Sequence, residues 1–314
     1  MRLPEQLRDA KLVKRTKLHQ HNHSRSSERI AWAFFLNLGF TILEFIGGWL
    51  SNSTAIMADA VHDLGDSLSI GSAWLLNKLG ARKGNGQFTY GYRRLSLFGA
   101  LINGLVLVAG STWIFLEAIP RLADPVMPKT GGMLILAVLG VSVNGYAAFR
   151  LSKGKSLNEK VLNWHLLEDV LGWVVVLIGA LIMHFVDWPI IDPLLSIAFT
   201  VFILVNVIRN LWETGRLFIQ ASPDPELVSK IQKALTDIDG VDEVHHLHLW
   251  SLDGEHHVLT THVIACIDMG HYRALKERLR VAIAEFDLAH TTIEIELAEE
   301  PCRDQFGPNS NEKR

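Results

Sequence analysis

Six apolar stretches in succession constrain this chain more than any other feature. Each is close to the ~20 residues that a helix needs to cross a ~30 Å hydrocarbon core. They run Ile30–Leu50, Ala55–Leu79, Leu95–Ile119, Gly131–Leu151, Val161–Phe185 and Ile190–Trp212. One such stretch can be a buried helix of a soluble protein, but six with short links predict an all-α membrane domain. Composition agrees: 49% of the residues are hydrophobic and mean hydropathy is +0.20 although 20% are charged, so charge must be segregated from apolar sequence. The arm before the first stretch is polar and basic and lacks the pattern of a signal peptide, which predicts that the first stretch is a retained span.

Charge on the links predicts orientation. The N-terminal arm holds Arg8, Lys11, Lys14, Arg15, Lys17, Arg25 and Arg29. The second link holds Arg82, Lys83, Arg93 and Arg94, and the fourth holds Arg150, Lys153, Lys155 and Lys160. The first and fifth links carry no Lys or Arg, and the third only Arg121 and Lys129. Positive charge collects on cytoplasmic loops, so both termini are expected in the cytoplasm. A net charge of −3 makes no electrostatic case for a nucleic-acid partner. The two cysteines, Cys266 and Cys302, lack the CxxC spacing of a thiolate zinc finger.

Past Leu217 the character changes. Ser222-Pro223-Asp224-Pro225 reads as a linker and helix start, with Asp224 as N-cap and Pro225 at the first helical position. Apolar residues at Leu227, Ile231, Leu235 and Ile238 have helical spacing. Val241–Leu252 and His256–Ile267 alternate like strands around a turn at Asp253-Gly254. Tyr272–Phe286 is a second amphipathic helix and Thr291–Leu297 a third strand. The order αββαβ predicts a small α+β domain of the metallochaperone or ferredoxin-like type. The expected organisation is an arm over 1–29, a six-span domain over 30–217, a cytoplasmic domain over 218–300 and a disordered polar tail over 301–314.

Ionisable groups inside spans point to function, because each Asp at the bilayer centre costs about 2.5–3.5 kcal/mol. The second stretch carries Asp59, His62, Asp63 and Asp66; the fifth carries His165, Glu168 and Asp169. His62 and Asp66 are four residues apart, as are His165 and Asp169, so each helix presents an imidazole and a carboxylate on one face. Facing each other, the two pairs make a tetrahedral N2O2 set suited to Zn²⁺, and a dication would neutralise both carboxylates. The plain alternative is two His–Asp pairs satisfying themselves. Imidazole and carboxylate hold zinc loosely enough for release, and histidine's ordinary pKa near 6.5 lets protons compete with metal. Exchange of metal for protons is the expected consequence. Asp59 lies on the same stripe toward the external end, where it either guides exiting metal or sits as a charge near a helix N-terminus. Asp63 and Glu168 point about 100° away from their neighbours and suit packing or a water-filled path. Asn37, Glu44, Asn103, Asn144 and Asn206 read as polar glue between helices.

The six spans, the two HxxxD pairs and the C-terminal domain resemble the cation diffusion facilitator family. Ser53-Thr54-Ala55-Ile56-Met57-Ala58-Asp59-Ala60-Val61-His62, Tyr90-Gly91-Tyr92-Arg93-Arg94 and His246-Leu247-His248-Leu249-Trp250 resemble its bacterial zinc efflux branch, which includes cobalt-zinc-cadmium resistance proteins. The resemblance covers the chain except the arm and the tail. It implies a homodimeric antiporter of the bacterial inner membrane that exports Zn²⁺, with Cd²⁺ and Co²⁺ as further substrates, against protons by alternating access. It also implies His62, Asp66, His165 and Asp169 as the transport site. Ser96 departs from the pattern, where many members carry Glu, and this argues against a metal site between loops.

The C-terminal part is rich in histidine: His245, His246, His248, His256, His257, His262, His271 and His290. Strand alternation would put His246 and His248 on one face and His245 on the other. The resemblance implies that His245, His262 and Glu300 match a cytoplasmic regulatory zinc site, with a merely polar sheet face as the alternative. His19, His21 and His23 in the arm could collect metal, or be a surface coincidence. Two other classes remain to be weighed. An intramembrane metalloenzyme would need an open metal position and a general base, and no HExxH occurs. A membrane metal sensor would need an output module, and none is evident.

Overall fold

The computed structural model describes residues 34–80, 84–152, 157–267, 269–298, 300–302 and 304. The N-terminal arm with His19, His21 and His23 lies outside them. Contacts divide the chain into two compact units, one of residues up to Lys78 with Gly99–Leu211, the other of Leu79–Phe98 with residues from Trp212 on.

The first unit is a helical bundle. Its elements are α1 (Phe34–Ser51), α2 (Thr54–Gly80), α3 (Leu95–Ala118), the short α4 (Pro120–Ala123), α5 (Thr130–Leu151), α6 (Leu157–Val186) and α7 (Ile191–Phe218), some of which run on into the second unit. Among the described residues, five helices are long and apolar enough to cross a membrane: α1, α3 with α4, α5, α6 and α7. The expected sixth, α2, is a continuous helix of 27 residues but does not qualify by composition. Asp59, His62, Asp63 and Asp66 dilute its apolarity.

Packing explains how α2 tolerates those residues. Ala55, Ile56, Ala58, Ala60 and Val61 are fully buried, so this helix is wrapped by its neighbours. Ile56 packs with Met133 and Ala137 of α5 and with Trp173, Val176, Ala180 and Met183 of α6. Met57, Ala58 and Val61 pack with Leu107 and Ile114 of α3 and Ile203 and Val207 of α7. The large apolar residues left outside sit on the flanking helices, such as Phe35, Ile135, Phe185 and Ile208. Such a surface is stable against lipid and not against water. Small residues let helices approach closely. A Cβ on Gly140 of α5 would overlap the Trp173 indole of α6.

The entry into α2 is tightly built. Asn52 takes a left-handed conformation (φ 55°) after α1, and Ser53 N–H donates to the Gly48 carbonyl at 2.9 Å, the Schellman closure of a helix. Ser53 then accepts from Ile56 N–H at 3.2 Å as N-cap of α2.

The second unit contains helix α8 (Pro225–Thr236), strands β1 (Val241–Ser251) and β2 (His257–Ala265), helix α9 (Tyr272–Ile283) and strand β3 (Leu288–Leu297), with a 3-10 turn before α9. Strand order is β1-β2-β3, antiparallel then parallel. Asp224 accepts from Glu226 N–H at 2.8 Å with Pro225 following, as an N-cap should. The hairpin turns at Gly254 (φ 100°), where Asp253 accepts from His256 N–H at 2.8 Å. Ile231, Leu235, Val244, Leu249, Leu259, Val263, Leu275 and Leu279 form the core between sheet and helices.

Candidate metal centres

Within the bundle, α2 and α6 bring the two predicted pairs together. Asp66 is the hub: its Oδ2 lies 3.0 Å from His165 Nε2 and 3.8 Å from His62 Nε2. The two imidazoles stand edge to face, ring centres 6.2 Å apart. His62, Asp66 and Asp169 each offer one ligand atom such that all lie within 4.8 Å of one another. His165 joins through Asp66 rather than meeting all three. One carboxylate oxygen of Asp169 is buried without a hydrogen bond among the described residues, as is one of Asp59.

A cavity of about 340 Å³ opens beside this cluster, lined by Asp59, His62, Glu168, Asp169, Phe199 and Phe202 among others. Asp59 and Glu168 therefore border the same space, although Glu168 was expected to turn away from its neighbours' stripe. Asp63 is buried instead, and Asn37 of α1 donates to its backbone carbonyl at 3.2 Å and to Ser67 Oγ at 3.0 Å. Glu44, expected as glue, is fully buried and has no hydrogen-bond partner for either oxygen among the described residues.

Sequence reasoning missed Asp192 of α7. It is 1% exposed and clasps the start of α2, accepting from Thr54 N–H at 2.8 Å, Thr54 Oγ1 at 2.9 Å, Ser53 Oγ at 2.5 Å and Ala55 N–H at 3.3 Å. An anion at a helix N-terminus satisfies donors that the helix leaves open and matches its dipole. The available signal was a lone carboxylate at the head of an apolar span.

The second unit holds another cluster. Strand register pairs His245 with His262 across β1 and β2, and His262 with Glu294 across β2 and β3. Directly opposed residues share a sheet face, and Glu296, two positions on, joins that row. His262 Nδ1 lies 2.7 Å from Glu296 Oε1, and His245 Nε2 lies 3.2 Å from Glu296 Oε2. Cys302 Sγ is 3.5 Å from His262 Nδ1, and Asp304 Oδ2 is 3.4 Å from His262 Nε2. His245, His262, Glu296 and Cys302 place ligand atoms within 4.8 Å of one another. Burial raises the Cys302 thiol above its ordinary pKa, and the Glu296 and Asp304 carboxylates push the same way.

Two expectations change here. Glu300 is not in the cluster: its carboxylate accepts from Leu297 N–H at 3.0 Å, turning the chain at the end of β3. Nor do His245 and His246 face opposite ways, because β1 is irregular between His245 and His248, with His246 left-handed (φ 47°). A bulge of this kind re-aims a side chain. The rings of His245, His246 and His262 consequently form a triangle with centres 5.1, 5.5 and 5.2 Å apart. His256 is held by Asp253 at 2.7 Å, and His290 stacks edge to face on Tyr90.

Comparison with known proteins matches both regions. Residues 30–219 match the cation efflux transmembrane domain, and residues 223–298 match the cytoplasmic domain of cation efflux proteins. Among curated relatives, the zinc transporter ZitB of Pectobacterium atrosepticum is 34% identical over 283 residues, covering 88% of each chain. The cadmium, cobalt and zinc/H(+)-K(+) antiporter of Bacillus subtilis is 29% identical over 88% of this chain and 91% of its own. The metal cation efflux system protein CzcD of Cupriavidus metallidurans is 31% identical over 90% of both chains. With a family match across most of its length and relatives of this similarity, the chain belongs to the cation efflux family of membrane transporters.

Proposed function

We propose that this protein exports a divalent metal, Zn²⁺ first and Cd²⁺ or Co²⁺ as further substrates, from the cytoplasm in exchange for protons. The carrying observation is the meeting of His62, Asp66 and Asp169 beside a cavity, with His165 on Asp66. Two imidazoles and two carboxylates suit a tetrahedral dication, and all four contribute to the transport site in this reading. Asp59, on the cavity wall, receives metal on its way out. Of the relatives, one is named a zinc transporter, one an antiporter of cadmium, cobalt and zinc against protons and potassium, and one a metal cation efflux protein.

In this reading α2 is the sixth span, wrapped by the others so that its charges meet protein and cavity instead of lipid. The chain is a homodimer of the bacterial inner membrane with both termini in the cytoplasm, built as an arm over 1–29, spans over 30–217, a metallochaperone-like αββαβ domain over 218–300 and a tail. Loop charge supports the orientation, and the match of residues 223–298 to the cytoplasmic domain of cation efflux proteins supports a C-terminal part in the cytoplasm. That domain binds regulatory metal at His245 and His262, with Glu296 in the place expected of Glu300.

Protons drive turnover because each imidazole that binds metal must first be neutral. Outward exposure to an acidic medium protonates the site and discharges the metal; return to the cytoplasm releases the protons. The test is zinc flux in proteoliposomes with wild type and Asp66→Ala. Flux in the variant should fall to the protein-free background while its thermal stability holds. Undiminished flux would remove the site, and a wild type that binds zinc without flux would favour a sensor.

A further inference from the structure

We propose that Cys302 supplies a thiolate to the cytoplasmic cluster, so that metal bound there clamps the segment after β3 onto the sheet. The inference rests on the reading of His245 and His262 as a metal site and adds its fourth donor and its consequence.

The chain is folded back for this purpose by a local device. Glu300 N–H donates to the Leu297 carbonyl at 2.9 Å while its carboxylate accepts from Leu297 N–H. That reversal, followed by Pro301, returns Cys302 to the face carrying His245, His262 and Glu296. His262 and Glu296 are 8% and 6% exposed. Their mutual hydrogen bond accounts for those two side chains. His245 is half-buried, its Nε2 lies 3.2 Å from Glu296 Oε2, and neither ring nitrogen makes a well-aligned hydrogen bond among the described residues. An imidazole in that position, grouped with a carboxylate, a second imidazole and a thiol, has the arrangement of a ligand set.

Four donors around zinc sit about 3.3–3.8 Å apart when Zn–N is about 2.0 Å and Zn–S about 2.3 Å. Ligand atoms within 4.8 Å of one another need only a small inward movement to reach this. The set of two imidazoles, a carboxylate and a thiolate selects Zn²⁺, Cd²⁺ or Co²⁺ over Mg²⁺ and Ca²⁺, which prefer oxygen. A thiolate also distinguishes this site from the bundle site, whose donors are nitrogen and oxygen alone. The bundle site must let its metal go, whereas the thiolate site retains metal and reports cytoplasmic abundance. Binding replaces the thiol proton, which leaves to solvent, with the metal. Cys302 already lies 3.5 Å from His262; with metal, the segment is bonded to β1, β2 and β3 together.

The experiment loads the full-length protein in detergent with Co²⁺ as a spectroscopic probe. A near-ultraviolet thiolate-to-cobalt charge-transfer band should appear in wild type and in Cys266→Ser. Cys302→Ser should lose the band and bind one cobalt at least about tenfold more weakly, since losing a ligand costs no less than losing a supporting contact. In wild type, zinc should slow maleimide modification of Cys302 by about tenfold, because a coordinated thiolate is not a free nucleophile. The exposed Cys266 is the internal control for that measurement. A missing band in wild type, a band retained in Cys302→Ser, or unprotected Cys302 would each overturn the proposal. If His262→Ala still loses one cobalt equivalent in that event, the imidazole–carboxylate site stands without the thiol. If it loses none, the cytoplasmic-site reading falls as well.

Discussion

Asp192 fixes where α2 begins and so positions the proposed transport site without belonging to its ligand set. Four donors from Ser53, Thr54 and Ala55 converge on its carboxylate, and His62, the first residue of that proposed site, lies two turns further along the helix. Asp192→Asn keeps the shape but removes the charge and half the acceptor capacity. Hydrogen bonds to a charged group are worth about 1.5–3 kcal/mol, so the variant should lose about that much stability. Thermal unfolding in detergent would measure the loss, and zinc affinity should weaken with it because His62 and Asp66 lose their fixed register. The roles of individual residues were unevenly legible. That His62 and Asp66 lie on one face of α2, and His165 and Asp169 on one face of α6, could be read directly, because spacing on a helix is local geometry; that His165 meets Asp66 of the other helix could not. Asp192 could not, since Thr54 lies 138 residues away in the chain. The choice of Glu296 over Glu300 depends on strand register, and the placing of His246 on a bulge, neither of which alternation reveals.

Among the elements, the proposal that α2 is a sixth span rests on its packing rather than on its apolarity. Its six buried positions from Ala55 to Val61 face other helices, so its carboxylates are shielded and its composition need not match that of a lipid-facing span. The close seam between α5 and α6 supports the helix that carries His165 and Asp169. Gly140→Leu would drive a side chain into Trp173, which is 1% exposed. Overpacking of this kind costs about 1–3 kcal/mol. Thermal unfolding should show that loss, and the same substitution at Gly215, where a Cβ meets nothing within 4 Å, should be close to neutral. Helix and strand order in the C-terminal part followed from periodicity and turn residues. Its boundaries moved: β3 begins at Leu288 and α9 ends at Ile283. Pairing with β2 extends the strand beyond what its own alternation suggests.

For the whole molecule, loop charge makes the orientation testable. Single cysteines introduced at Asn52 and at Asn85 in a background lacking Cys266 and Cys302 should differ: an impermeant maleimide applied to intact cells should label the first and spare the second. The reverse pattern would invert the direction of transport. In the proposed reading coupling joins the parts, because the histidines assigned to metal are groups that also accept protons. Zinc uptake into inside-out vesicles, with the interior acid and with the gradient collapsed, measures that coupling. Proton exchange predicts faster uptake with the acid interior and a rise of internal pH when zinc is added, both abolished in Asp66→Ala. Equal uptake with and without the gradient, and no proton movement on adding zinc, would contradict it.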